Sequence, residues 1–173
     1  MSKRFVLAAM LLATPAIATA QPPAPVPAQY WGVNIGDFDF TNNGASGNST
    51  AIGLRGGYHF SDFLGVELRG GFDTGGDKGG LQESPDVIHG GAYVRLDLPF
   101  ERVNVFFLGG TSVVRYDSVN GTKDTSDVSG GIGIELYGSD RTALTLDYMN
   151  YSDGAYEGVS LGLVHHFDWP RFR

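Results

Sequence analysis

The chain has 173 residues, 26 of them glycine, no cysteine, and a formal net charge of −7. That length suits one domain, and the missing cysteine excludes disulfides, thiolate metal sites and cysteine nucleophiles. The acidic balance argues against nucleic-acid partners.

Residues 1–20 read as a secretory signal cleaved after Ala20. Lys3 and Arg4 supply the positive start, 5–12 is an apolar run too short to span a bilayer, and Ala18-Thr19-Ala20 is a small-x-small cleavage site. Its removal takes the net charge from −7 to −9, because both charges it carries are basic. Residues 21–29, with four prolines, form an extended leader on the periplasmic side. The predicted barrel then runs over 30–167, followed by a short tail at 168–173.

Eight strands are expected, at 30–40, 50–60, 64–73, 87–98, 103–116, 128–137, 142–151 and 158–167. The second is the clearest. In Ile52-Gly-Leu-Arg-Gly-Gly-Tyr-His-Phe60, large apolar residues alternate with glycine, arginine and histidine, and strand geometry sends the two sets to opposite faces. A soluble sheet would bury the bulky face, but the remaining face is neither a good solvent face nor an apolar one. A closed barrel turned outward into lipid explains both, since hydrocarbon takes the bulky set and a narrow lumen takes small residues with a few paired charges. The expected fold is therefore all-β: an eight-stranded, antiparallel, up-and-down transmembrane β-barrel.

Two strands resist the parity rule. In the first, Trp31, Val33 and Ile35 share one face while Phe38 and Phe40 share the other, which suggests a bulge or an early end near Gly36. In the fifth, both faces are apolar, so its lipid-facing side stays open.

The connections alternate in length. Those at 42–49, 74–86, 117–127 and 152–157 are long and polar, whereas 61–63, 99–102 and 138–141 are tight turns. Outer-membrane barrels segregate them in this way, with the tight turns on the periplasmic side. Aromatic residues cluster at strand ends. Tyr30, Trp31, Phe60, Phe63, Phe100, Tyr137, Phe167 and Trp169 fall at the turn side, and Phe72, Tyr116, Tyr148, Tyr151 and Tyr156 at the other. These read as two interfacial girdles, with Trp31, Phe60, Tyr137 and Phe167 marking the periplasmic one.

If the apolar residues face lipid, parity puts Arg55, Glu67, Arg69, Arg95, Asp97, Glu135 and Asp147 inside. Mixed signs on neighbouring strands should then join in a hydrogen-bonded network, because a lone charge in a narrow lumen is costly. An eight-stranded barrel has room only for side chains, so little or no steady conductance is expected.

The segments Gly65-Val-Glu-Leu-Arg-Gly-Gly-Phe-Asp73, Val105-Phe-Phe-Leu-Gly-Gly-Thr111 and Val159-Ser-Leu-Gly-Leu-Val-His-His-Phe167 resemble the small eight-stranded outer-membrane barrels. That family includes the transmembrane domain of outer-membrane protein A and many "porin family" proteins. The resemblance implies a bacterial outer-membrane location, and an arginine and carboxylate cluster that blocks or gates the interior. It implies outer-membrane lipids and lipopolysaccharide as surroundings, barrel-insertion machinery reading the aromatic-ended last strand, and a monomer. This chain departs from the family by continuing past Phe167 with Asp168-Trp-Pro-Arg-Phe-Arg173.

Two other function classes are open alternatives. The segment Asp147-Tyr-Met-Asn-Tyr-Ser-Asp-Gly154 is similar to one in lipid A deacylases, where a histidine two residues before the serine nucleophile acts as base. Here Asn150 takes that position and cannot accept a proton, so an esterase using Ser152 would lack its base. A soluble periplasmic lipocalin-like ligand binder is the other alternative, but it would want an apolar interior. His165 and His166 point to opposite faces, and His59 with His166 lacks an evident third ligand; neither a metal nor a cofactor is expected.

Overall fold

The computed structural model describes residues 29–42, 45–75, 86–118, 121–139 and 141–167. Its eight strands are β1 Gln29–Asn42, β2 Ala45–His59, β3 Leu64–Gly75, β4 Asp86–Pro99, β5 Val103–Ser118, β6 Gly121–Tyr137, β7 Thr142–Tyr151 and β8 Tyr156–Phe167. Each pairs antiparallel with its chain neighbours, and β1 also pairs with β8, so the sheet closes into a barrel in simple up-and-down order. The signal, residues 21–28 of the leader and the tail with Trp169 lie outside the described residues, while Gln29 opens β1.

The barrel is inside-out by the standard of a soluble protein. Leu68 is 65% exposed and Leu54 61%, whereas Glu67 and Arg55 beside them are 1% and 3% exposed. Only a solvent that welcomes leucine and rejects charge makes that arrangement favourable. On β3 the outward apolar row runs from Leu64 to Phe72. At a rise of about 3.3 Å per residue and a tilt of about 40°, such a row stands roughly 20 Å tall, close to the apolar band of outer-membrane barrels. Polar outward groups stand above it: Thr50 Oγ1 donates to Asp37 at 2.9 Å, Tyr148 donates to Glu157 at 2.7 Å, and Arg115 pairs with Asp124.

β1 corrects the expected break near Gly36. Its register with β2 is continuous from Gln29 to Asn42, and Phe38 and Phe40 keep the same parity as Gly32 and point inward, 2% and 1% exposed. What changes along the strand is the chemistry of the lumen, not the direction of the chain. The irregularity falls instead between β2 and β3, where the register shifts at Thr50/Ala51. β5 is also resolved: Asn104, Phe106, Leu108, Ser112, Val114 and Tyr116 face in, while Phe107 and Val113 face lipid. Both of its faces read as apolar because this part of the lumen is itself lined by rings and aliphatics.

The described residues of two of the expected long loops are strand. β2 begins at Ala45, and β6 runs back to Gly121, with its ladder to β5 continuing to Ser118↔Gly121. A polar sequence said that these residues meet water, but not that they leave the sheet. The backbone ladder holds them, helped by the two hydrogen bonds that Arg115 donates to Asp124 at 2.7 and 2.9 Å. The tight turns at 61–63 and 99–102, and the described residues 138–139 and 141 of the third, all sit at the rim that also carries Gln29 and Phe167. We call this the turn rim.

Candidate functional site

Inside the barrel, local sequence sets up the first contacts. Residues two apart on a strand share a face, so Glu67 lies beside Arg69 and Arg95 beside Asp97. Neighbouring strands complete the set. Arg95 is the hub: Nε donates to Asp97 Oδ1 at 2.8 Å, Nη1 to Glu67 Oε2 at 3.0 Å, and Nη2 to Glu135 Oε1 at 2.8 Å. Its guanidinium also lies over the rings of Phe106 and Tyr30, 4.2 and 4.9 Å from their centroids. Arg69 donates through Nε to Glu67 and through Nη1 to Asp147 at 2.9 Å, and Arg55 donates to Asp147 at 2.5 Å. Ser160 donates to Asp147, and the Tyr30 hydroxyl donates to Glu67. Arg55, Asp147, Arg69, Glu67, Arg95, Asp97 and Glu135 thus form one connected chain of ion pairs drawn from β2, β7, β3, β4 and β6, with every member buried. Charge-assisted bonds of this kind are short, directional and strong in a low-dielectric lumen.

Asn104 was not singled out from sequence, and His59 was read as lumen-facing but not as a member of the network. Asn104 donates to Asp97 at 2.5 Å and to Glu135 at 3.3 Å, and His59 Nε2 stands 3.2 Å from Asp97 Oδ2. Asn104 was hidden by the ambiguous parity of β5. Tyr137 corrects an expectation: it does not join the lipid-facing girdle. It lies two residues after Glu135 on the same inward face, where its hydroxyl donates to Glu135 at 3.1 Å and meets His166 Nε2 at 3.3 Å. Tyr30 is inward for the same reason of parity. Trp31, Phe60 and Phe167 do face outward, 50%, 63% and 42% exposed, and Phe63 and Phe100 join them.

The girdle expected at the opposite rim is corrected more strongly. Phe72 and Tyr148 face out, but Tyr116, Tyr151 and Tyr156 turn in and fill the other half of the lumen. There Phe38 stacks on Tyr156 with centroids 4.8 Å apart and planes within 9°. His89 packs against Tyr151 at 4.7 Å, Phe40, Val87 and Val114 close the space around them, and the Tyr116 hydroxyl donates to the Ala155 carbonyl at 2.7 Å.

Ser152 is buried rather than presented to a substrate. Its hydroxyl donates to the Ser112 carbonyl at 3.1 Å, and its amide donates to Ser129 Oγ at 2.9 Å. Ser152 and Asp153 have φ of 50° and 53°, and Gly154 83°, so three left-handed residues in a row fold the β7–β8 turn back onto the β5–β6 ribbon. Asn150, in the position a base would need, accepts a hydrogen bond from the Gly154 amide at 2.7 Å. His166 is buried in the lumen and His165 lies on the outer side beside Thr142, as adjacent strand residues must. Among the described residues no set of three His, Asp or Glu is placed to hold a metal ion.

The Outer membrane protein beta-barrel domain family matches residues 5–167 of this sequence. The chain belongs to that outer-membrane barrel family. Its fold is shared with solved outer-membrane proteins at low identity. Neisserial surface protein A is 12% identical, with 80% of this chain and 97% of that one covered and a TM-score of 0.66. The N-terminal barrel domain of Pseudomonas aeruginosa OprF is 12% identical, with 83% and 100% covered and a TM-score of 0.62. Ail of Yersinia pestis, solved with the heparin analogue sucrose octasulfate, is 14% identical, with 82% and 99% covered and a TM-score of 0.57. At these identities the likeness concerns the fold. No curated protein matches the chain. For an outer-membrane barrel of this family, the turn rim is the periplasmic one and the β5–β6 ribbon stands on the outer side.

Proposed function

We propose that this protein is a non-catalytic, monomeric barrel of the bacterial outer membrane, with a structural and surface-interaction role and a lumen that is closed. The observation that carries the reading is the Arg95 hub. One guanidinium joined to three carboxylates on three strands, with rings against its faces, fills the cross-section that an open pore would need. An eight-stranded wall leaves no second lane beside it. Export by a signal cleaved after Ala20, insertion read from the aromatic-ended β8, and a surround of lipid and lipopolysaccharide complete the proposal. The apolar outer wall and the ion-pair network across the turn-side half of the lumen oppose the lipocalin-like alternative, and the hydrogen-bonded burial of Ser152 opposes the esterase.

Two assays test it. Proteoliposomes carrying the purified protein should not swell in isosmotic small sugars or salts, and rapid swelling would overturn the closed lumen. Mass spectra of lipid A from cells with and without the protein should be the same, whereas loss of an acyl chain that depends on Ser152 would overturn the non-catalytic role.

A further inference from the structure

The β7–β8 turn carries part of the ring layer with it. Tyr151 ends β7 and Tyr156 begins β8, and the two face each other across the last rung of that ladder, so both rings hang from one turn. They cover His89, with centroids 4.7 and 5.2 Å from its own, and Tyr156 stacks on Phe38. The turn is fastened to β5 and β6 through hydroxyls. The Ser152 amide donates to Ser112 Oγ at 3.1 Å and to Ser129 Oγ at 2.9 Å, those two hydroxyls lie 2.6 Å apart, and the Asp153 amide donates to the Val128 carbonyl at 3.0 Å.

This seated position carries costs. Ser152 and Asp153 hold left-handed backbone, which residues other than glycine avoid. Beneath them the Tyr93 hydroxyl and His89 Nδ1, on residues 3% and 5% exposed, have no hydrogen-bond partner among the described residues. Such groups lose the water they had without a replacement. A partner for Tyr93 stands next to it. Its hydroxyl lies over Gly91, and Gly91 faces Ser112 across the β4–β5 ladder. Ser112 is engaged by Ser152 and Ser129 while the turn is down.

We propose that the β7–β8 turn is a lid with two positions. When it is closed, Ser152 sits on Ser112 and Ser129. When it is open, Ser112 passes to the Tyr93 hydroxyl, Ser152 and Asp153 leave the left-handed region, and Tyr151 and Tyr156 move off His89. Water then enters a blind vestibule from the outer side. The Arg95 hub beneath keeps its three carboxylates in both positions, so the lid opens without opening the barrel. The inference rests on the closed lumen of the proposed function, with the ring layer as its outer seal.

Amide exchange and histidine modification by diethyl pyrocarbonate, on the full chain in lipid nanodiscs, test the lid. Ser129→Ala removes one acceptor of the Ser152 amide. It should speed Ser152 amide exchange and His89 labelling by about five- to tenfold, the factor that one lost hydrogen bond carries, with His59 in the turn-side half labelled at the wild-type rate. Tyr93→Phe removes the partner that the open position gives Ser112 and should slow Ser152 amide exchange by about threefold. Unchanged or faster exchange in Tyr93→Phe would overturn the proposal, because a fixed turn has no use for that hydroxyl. So would unchanged His89 labelling in Ser129→Ala, or a His59 rate that rises in step with His89 and marks general loosening. These rates are read whether or not the barrel conducts, so the lid and the closed lumen fail separately.

Discussion

In the turn-side half of the lumen a guanidinium meets three carboxylates, and in the outer half Phe38 lies flat against Tyr156. Both halves are filled by residues of the same strand parity. Their physics differs. The charged half is directional: each bond needs its partner in place, and losing one strands the others without compensation. The ring half is held by area and shape, so a lost side chain leaves a gap that its neighbours narrow in part. The lumen of this barrel is therefore defined by which way side chains point and not by a uniform polar composition.

The largest expected effect comes from Arg95→Ala. It leaves Glu67, Asp97 and Glu135 without their shared guanidinium and should cost about 3–5 kcal/mol of stability, read by urea unfolding in detergent. Phe38→Ala should come next, at about 3 kcal/mol, since the Tyr156, Tyr151 and His89 rings remain to collapse on the space. Equal losses in the two variants would erase the distinction between the halves.

Glycine gives a sharper contrast at adjacent positions. A Cβ on inward Gly110 would come 2.0 Å from the Ala92 carbonyl oxygen, while one on outward Gly109 would meet nothing within 4 Å. Gly110→Ala should thus destabilise by about 1–3 kcal/mol through overpacking. Gly109→Ala should stay within about 0.5 kcal/mol, as exposed positions do. Heat-modified gel mobility compares the two directly.

The smallest effect belongs to the ribbon outside the membrane. Two hydrogen bonds from Arg115 hold the Asp124 carboxyl below its usual range. A carboxyl lowered in the folded state supports structure above its unfolded value of about 4, and that support is lost as pH falls through the lowered value. Amide exchange at 121–125 should therefore quicken in acid relative to the rest of β6, with the melting temperature unchanged. Uniform exchange along β6 would show that the pair does not hold the ribbon.

Much of this was legible before any coordinates. Strict alternation in β2 and β3 announced the closed sheet, its lipid-facing side and the inward direction of Arg55, Glu67 and Arg69, because period two leaves no other option. Where apolar residues occupy both faces, alternation carries no direction, and so the ring layer of Phe38, Phe40, Tyr116 and Tyr156 was misread as a bulge or a girdle. Tyr137 shows that position along a strand says how deep a ring lies, but only parity says which way it faces. The long loops at 42–49 and 117–127 were misjudged because polar composition reports water contact, and a strand can rise into water while its ladder continues. Asn104 and His59 gained their places only through partners on other strands, Asp97 on β4 for both and Glu135 on β6 for Asn104.

The central claim is that both layers close the barrel. Single-channel recording in planar bilayers tests it most directly, with wild type beside the Arg95→Ala/Phe38→Ala double variant. Wild type should give no steady current, and the double variant, with a plug removed from each half, should give discrete openings. Large, long-lived openings in wild type would contradict the account.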